Sequence, residues 1–230
     1  LWFDEAAQAW RPVPAFVEDD GRGGGIVTFY RKGNGRYAVA LSERSFADIA
    51  GHWAKPVIEQ LASKLIVNGM DERTFQPDAP LTRAQFAALL VRALAVSGNN
   101  GQIGFDDVGS SDWFADAVGG AKQAGLIDGY EDRTFRPNTA ISREEIALLI
   151  YRALLYADPA KGTASGESAP SRFVDAADIA DWAGTAASVL ASERILEGDG
   201  NGMFSPKRPA TRAEATVMLK RMLQSLRFIN

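Results

Sequence analysis

The chain has 230 residues, 46% hydrophobic and 23% charged, an ordinary balance for a globular protein long enough for one sizeable domain or two small ones. A formal net charge of −4 argues against a nucleic-acid partner. With no cysteine and a single histidine, His52, the chain excludes thiol chemistry, disulfides, Cys-based zinc sites and three-His metal sites, so no metal and no cofactor is expected.

The chain opens with Leu1-Trp2-Phe3, with neither an initiator Met nor a signal peptide, and reads as a piece of a longer protein. No apolar run approaches the ~20 residues needed to span a membrane, so no membrane insertion is expected. Residues 1–44 carry Trp2, Phe3, Trp10, Phe16, Phe29, Tyr30 and Tyr37 in short runs broken by Gly and Pro. Residues 26–30 and 37–41 are predicted strands, joined through a turn containing Asn34-Gly35. Residues 1–4 or 10–17 supply a second hairpin. So few strands are marginal alone, so the segment reads as the end of an upstream β domain. Its aromatics read as the core of a small sheet in preference to a sugar platform.

From Phe46 onward the chain repeats. Phe46-Ala47-Asp48 matches Phe105-Asp106-Asp107 and Phe173-Val174-Asp175, and Trp53, Trp113 and Trp182 follow. Each Trp leads into an apolar run with helical spacing, such as Val57, Ile58, Leu61 and Leu65. Each run ends at a polar-Gly pair: Asn68-Gly69, Asp128-Gly129 and Glu197-Gly198. Next come Phe75-Gln76-Pro77, Phe135-Arg136-Pro137 and Phe204-Ser205-Pro206. The repeats span 45–97, 104–157 and 172–226. The Gly/Ala/Ser/Pro-rich stretch 158–171 is a predicted linker, with 97–104 its shorter counterpart. One helix pair cannot bury its apolar stripe alone, so the three units should pack together, with clefts where they meet.

Each repeat then opens a second helix: Thr82-Arg83-Ala84-Gln85, Ser142-Arg143-Glu144-Glu145 and Thr211-Arg212-Ala213-Glu214. A hydroxyl followed three places later by Gln or Glu is a capping box. The arginines are unexplained by capping. They fall at N1, where the helix end is already positive and a cation is unfavourable by roughly 0.3–1 kcal/mol. Either an anion visits Arg83, Arg143 and Arg212, or a carboxylate elsewhere in the fold pairs with each.

Taken in order and three times over, these elements resemble the S-layer homology (SLH) domain, across about 46–223. The resemblance implies a mainly α fold: a pseudo-threefold trimer of helix-loop-helix repeats around a central three-helix bundle, here with a small β segment at the N-terminus. It implies a non-catalytic anchoring module of a larger exported protein, held extracellularly at the cell wall or S-layer of a Gram-positive-type bacterium. The implied partner is a cell wall glycan, a pyruvylated amino-sugar polymer, bound in grooves between repeats. The family associates the motif arginine with ligand, which falls on Arg83, Arg143 and Arg212. Repeat one departs from the pattern with Gln85 in place of Glu, and repeat two with Ser142 and Glu144. Unequal grooves are expected.

The remaining candidates each carry two readings. Asp48, Asp107 and Asp175 either accept from sugar hydroxyls or anchor the approach to the helix. Trp53, Trp113 and Trp182 either stack on a sugar face or plug the core, and the core is favoured. Gly69, Gly129 and Gly198 supply a left-handed residue after the helix, and a side chain there would obstruct a groove. Helix N-terminal amides are expected to help grip the ligand. Phe75, Phe135 and Phe204 belong to the core, and His52 to the surface. Asp199-Gly200-Asn201-Gly202 lacks a calcium loop's spacing and reads as a flexible turn. Repeated, evenly placed residues suit multivalent binding better than one active site. Two rivals remain: a protein–protein module receiving acidic segments, and the tether of an exported polysaccharide-degrading enzyme.

Overall fold

The computed structural model describes residues 1–98, 104–162 and 172–230. The expected linkers lie outside the described residues over 99–103 and 163–171. The protein is mainly α with a small N-terminal β portion. Four short strands, β1 (Trp2–Asp4), β2 (Ala9–Arg11), β3 (Ala15–Asp19) and β4 (Gly25–Phe29), precede six helices among the described residues. These are α1 (Lys55–Ser63), α2 (Arg83–Ala93), α3 (Ala115–Gln123), α4 (Arg143–Ala157), α5 (Asp181–Ser192) and α6 (Arg212–Ser225). A 3-10 turn over Pro159–Gly162 packs on α4, where a linker was expected.

All three capping boxes form. Thr82, Ser142 and Thr211 each accept from the backbone N–H three residues on, and Gln85, Glu145 and Glu214 each reach back to the cap amide. Helix α2 is buried on nearly every side, and α4 and α6 over most of theirs, the mark of helices at the centre of a fold. These three touch one another. The more extensive helix contacts run between repeats: α3 packs on α2, α5 on α4 and α1 on α6. Each unit thus covers its neighbour's apolar stripe, which a lone hairpin could not do.

A ring of backbone hydrogen bonds joins the units just before the capping boxes. Ile141 N–H donates to Leu81 O (2.9 Å), Ala210 N–H to Ile141 O (2.9 Å) and Leu81 N–H to Ala210 O (3.0 Å). Phe75, Phe135 and Phe204 are fully buried, as expected, against Phe46, Phe105 and Phe173.

The glycines do not have the backbone expected of them. Gly69, Gly129 and Gly198 are absent from the left-handed region, which is occupied four residues earlier by Leu65, Gly125 and Arg194 (φ 59°, 71° and 57°). The helix has already been turned there. What Gly69 and Gly129 provide is space. A Cβ on Gly129 would strike the Phe105 ring and stand 2.7 Å from Thr134 O; on Gly69 it would stand 2.5 Å from Phe46 Cε1. At Gly198 the nearest atoms are 3.1 Å away. Gly129→Ala should therefore cost about 1–3 kcal/mol by overpacking, measurable in urea unfolding, with Gly198→Ala costing less.

The N-terminal segment pairs differently from expectation. Strand β4 joins β3, and β1 joins β2, while residues 37–41 make only a bridge from Tyr37 to Trp2. The chain start competes for that segment: Ala38 N–H donates to Leu1 O and Phe3 N–H to Arg36 O. The aromatics are not a sheet core. Only Trp2 is buried; Trp10, Phe29, Tyr30 and Tyr37 are exposed. The segment rests on the repeats instead. Tyr30 stacks on Phe228 (5.6 Å), the Asn230 side chain pairs with both backbone groups of Val17, and Lys64 Nζ donates to Ala15 O.

Candidate binding clefts

Each motif arginine crosses to the next unit. Arg83 Nε donates to Phe135 O (2.8 Å), Arg143 Nε to Phe204 O (2.6 Å) and Arg212 Nε to Phe75 O (2.7 Å). Their Nη2 groups donate to Asp128 O, Glu197 O and Asn68 O. The helix amides cross over too. Arg83 and Ala84 N–H donate to Thr139 and Pro137 O; Arg143 and Glu144 to Arg208 and Pro206 O; Arg212 and Ala213 to Ala79 and Pro77 O. With the capping hydroxyl satisfying N3, these helix starts have no free amide among those groups, so the expected amide grip on a ligand is not built here.

The aspartates anchor the same loops from the other side. Asp48 accepts from Phe75 and Gln76 N–H, Asp107 from Phe135 and Arg136 N–H, and Asp175 from Phe204 and Ser205 N–H, at 2.6–3.1 Å. They hold a left-handed residue before each proline, Gln76, Arg136 and Ser205 (φ 56°, 56° and 55°). Of the two readings left open for Asp, the structural one is therefore occupied, with the Phe-x-Pro loop in place of the helix as its target.

Trp53, Trp113 and Trp182 are 63%, 67% and 51% exposed, so they are not core plugs. The next residue fills that role: Ala54, Phe114 and Ala183 are buried. His52 is more enclosed than expected. Its Nδ1 accepts from Ala54 N–H (3.1 Å), which leaves the proton on Nε2 facing Asp78 (3.2 Å). Asp199 caps its own turn through Asn201 and Met203 N–H, and no group of three or more metal-ligating side chains occurs among the described residues.

The three clefts differ in charge. Arg83 pairs with Glu145 (2.8 Å) and Arg143 with Glu214 (3.0 Å), so the internal ion pair is present at both. Among the described residues Arg212 has no such partner: Gln85 occupies the position of those glutamates. A second arginine stands nine residues after the first in every repeat: Arg92, Arg152 and Arg221. Arg152 pairs with Asp128 (2.6 Å) and Arg221 with Glu197. Arg92 Nη1 faces the Asn68 side-chain amide at the matching position, and that amide accepts from it when its O and N are interchanged. The recurring Arg was visible in the sequence but was not singled out there. Glu144 is turned away from Arg143, taking Lys207 Nζ (2.7 Å) and Ala180 N–H (3.1 Å).

All three motif arginines are largely buried, at 7–8% exposure. Arg212 and Arg92 nevertheless line an open cavity of about 570 Å³, together with Asn68, Gln85 and Trp113. Its outer wall is Trp2 and Arg11 of the N-terminal hairpin, with Arg11 paired to Asp4 (3.4 Å). Burial, and then the adjacent Arg212 charge, lower the Arg92 guanidinium to about 10. Burial also lowers Arg212, with Asp48 opposing, and Arg143, with Glu214 opposing. The first cleft holds two poorly hydrated cations with no carboxylate within ion-pair distance of either among the described residues.

Among known families, the S-layer homology domain model matches residues 45–87, 104–147 and 172–216. The chain is 34% identical over 223 residues to an amylopullulanase of Thermoanaerobacterium thermosulfurigenes, covering 97% of this chain and 12% of that protein. It is 33% identical over 225 residues to the exoglucanase XynX of Acetivibrio thermocellus, covering 97% and 19%. It is 25% identical over 192 residues to the surface-layer 125 kDa protein of Lysinibacillus sphaericus, covering 82% and 16%. The chain therefore spans less than a fifth of the length of each of these relatives.

Proposed function

Because the chain belongs to the S-layer homology domain family, we propose that it is a non-catalytic module holding a larger exported protein to the bacterial cell wall. In this reading the units form a pseudo-threefold trimer around α2, α4 and α6, supported by the closed ring through Leu81, Ile141 and Ala210. The ligand is an acidic wall glycan, a pyruvylated amino-sugar polymer on a Gram-positive-type surface. The observation that carries it is the cleft where Arg92 and Arg212 face a cavity rimmed by the exposed Trp113. Two guanidinium groups suit a carboxylate, and an indole face suits a sugar ring. Trp53 and Trp182 stand exposed at the corresponding positions of the other units.

The larger protein is read as a polysaccharide-degrading enzyme, a reading favoured by the amylopullulanase and exoglucanase relatives. Co-sedimentation with wall sacculi tests the anchoring role. The chain should pellet with intact sacculi and stay in solution once the secondary polymer is extracted. Pelleting with polymer-free sacculi would overturn the polymer reading, and binding only in the presence of a wall protein would favour the protein–protein rival.

A further inference from the structure

In the second and third units two acidic positions pair with the two arginines of each cleft, and in the third Glu214 also takes Arg208. Glu145 and Asp128 serve Arg83 and Arg152; Glu214 and Glu197 serve Arg143 and Arg221. In the first unit both positions are amides, Gln85 and Asn68. Each amide keeps its neutral work. Gln85 still closes the capping box, and Asn68 still meets Arg92. Only the charge is missing. The cleft so formed keeps two unneutralised guanidiniums, Arg212 at 8% exposure. The other charges at its rim are the exposed Asp116 and the Arg11–Asp4 pair.

We infer that the first-unit cleft alone, of the three, is the anion-binding groove, and that Asn68 and Gln85 are the residues that keep it open to a carboxylate-bearing saccharide. An internal carboxylate competes directly with a ligand carboxylate for the same guanidinium donors. It wins in the second and third clefts, since it is covalently held in place. In the first cleft no carboxylate among the described residues pairs with either guanidinium, and the ligand's carboxylate relieves the repulsion between Arg92 and Arg212. Trp2 and Arg11 at its outer wall give this cleft a boundary drawn from outside the repeats.

The inference rests on the carboxylate reading above, and the test separates the two. A pyruvylated N-acetylhexosamine monosaccharide is titrated calorimetrically into three proteins: the full chain, Gln85→Glu/Asn68→Asp, and Glu145→Gln/Asp128→Asn. The full chain should take up one equivalent. The first variant should lose affinity roughly a hundredfold, since two charge-assisted contacts are given to internal carboxylates. Its melting temperature should not fall, because Glu already closes the same capping box in the other two units. The second variant should take up a further equivalent. Three equivalents on the full chain, or unchanged binding by Gln85→Glu/Asn68→Asp, would overturn the single-groove inference and leave the carboxylate reading standing. No binding by the full chain would overturn both.

Discussion

Glu145→Ala should lower the free energy of unfolding by about 3–5 kcal/mol, because it strands a charge inside the protein. Arg83 is 8% exposed in its side chain and holds Glu145 at 2.8 Å. The same carboxylate accepts from Ser142 N–H (2.8 Å) and from the Tyr130 hydroxyl (3.2 Å). Alanine therefore removes the partner of a buried guanidinium and half of a capping box in one change. Glu145→Gln keeps the cap and loses the charge, as Gln85 does naturally, so it should cost distinctly less. Urea unfolding of the two variants separates the contributions. Equal loss in both would assign the whole effect to charge, and a negligible loss in both would mean the pair contributes nothing net to stability.

Phe135→Ala should be comparably severe, at about 3–5 kcal/mol. The ring is fully buried, lies 5.3 Å from Phe105 centroid to centroid, and sits under the Arg83 guanidinium. Its backbone is clamped independently of the ring, by Asp107 at the N–H and Arg83 at the carbonyl. The loop therefore cannot collapse far to fill the space, which places the cost towards the upper end. Trp113→Ala is the matching control. At 67% exposure it should change stability by less than about 0.5 kcal/mol, while weakening saccharide binding if the indole stacks on the ring.

What could be read from the sequence was what is decided locally. A capping box needs four neighbouring residues, and all three formed. The Phe-x-Pro phenylalanines read as core because a large apolar ring recurs at the same place in all three repeats amid polar neighbours. The repeat register placed the three units and, with the resemblance, the family. The arginine at N1 could be flagged as odd but not explained, because its acceptor lies 52 residues away for Arg83 and 137 away for Arg212. Asp107 was likewise ambiguous, since the amides it holds are 28 and 29 residues on. Residues 37–41 have a strand's pattern, yet pairing is settled by which edge is free, and Leu1 and Phe3 reached it first. Trp53, Trp113 and Trp182 lie outside the core because the buried position is one residue further along, at Ala54, Phe114 and Ala183. The substitution of amides at both Asn68 and Gln85 was visible in the repeat register. Its meaning emerged only when Arg92 and Arg212 were found lining one cavity.

Recognition of a wall-borne carboxylate by the cleft can be measured directly. Purified secondary wall polymer should be titrated calorimetrically into the protein before and after mild-acid removal of its pyruvate. Affinity should drop at least about tenfold when the carboxylate is removed, the effect of losing one charge-assisted contact. Equal affinity for the two polymers would contradict it.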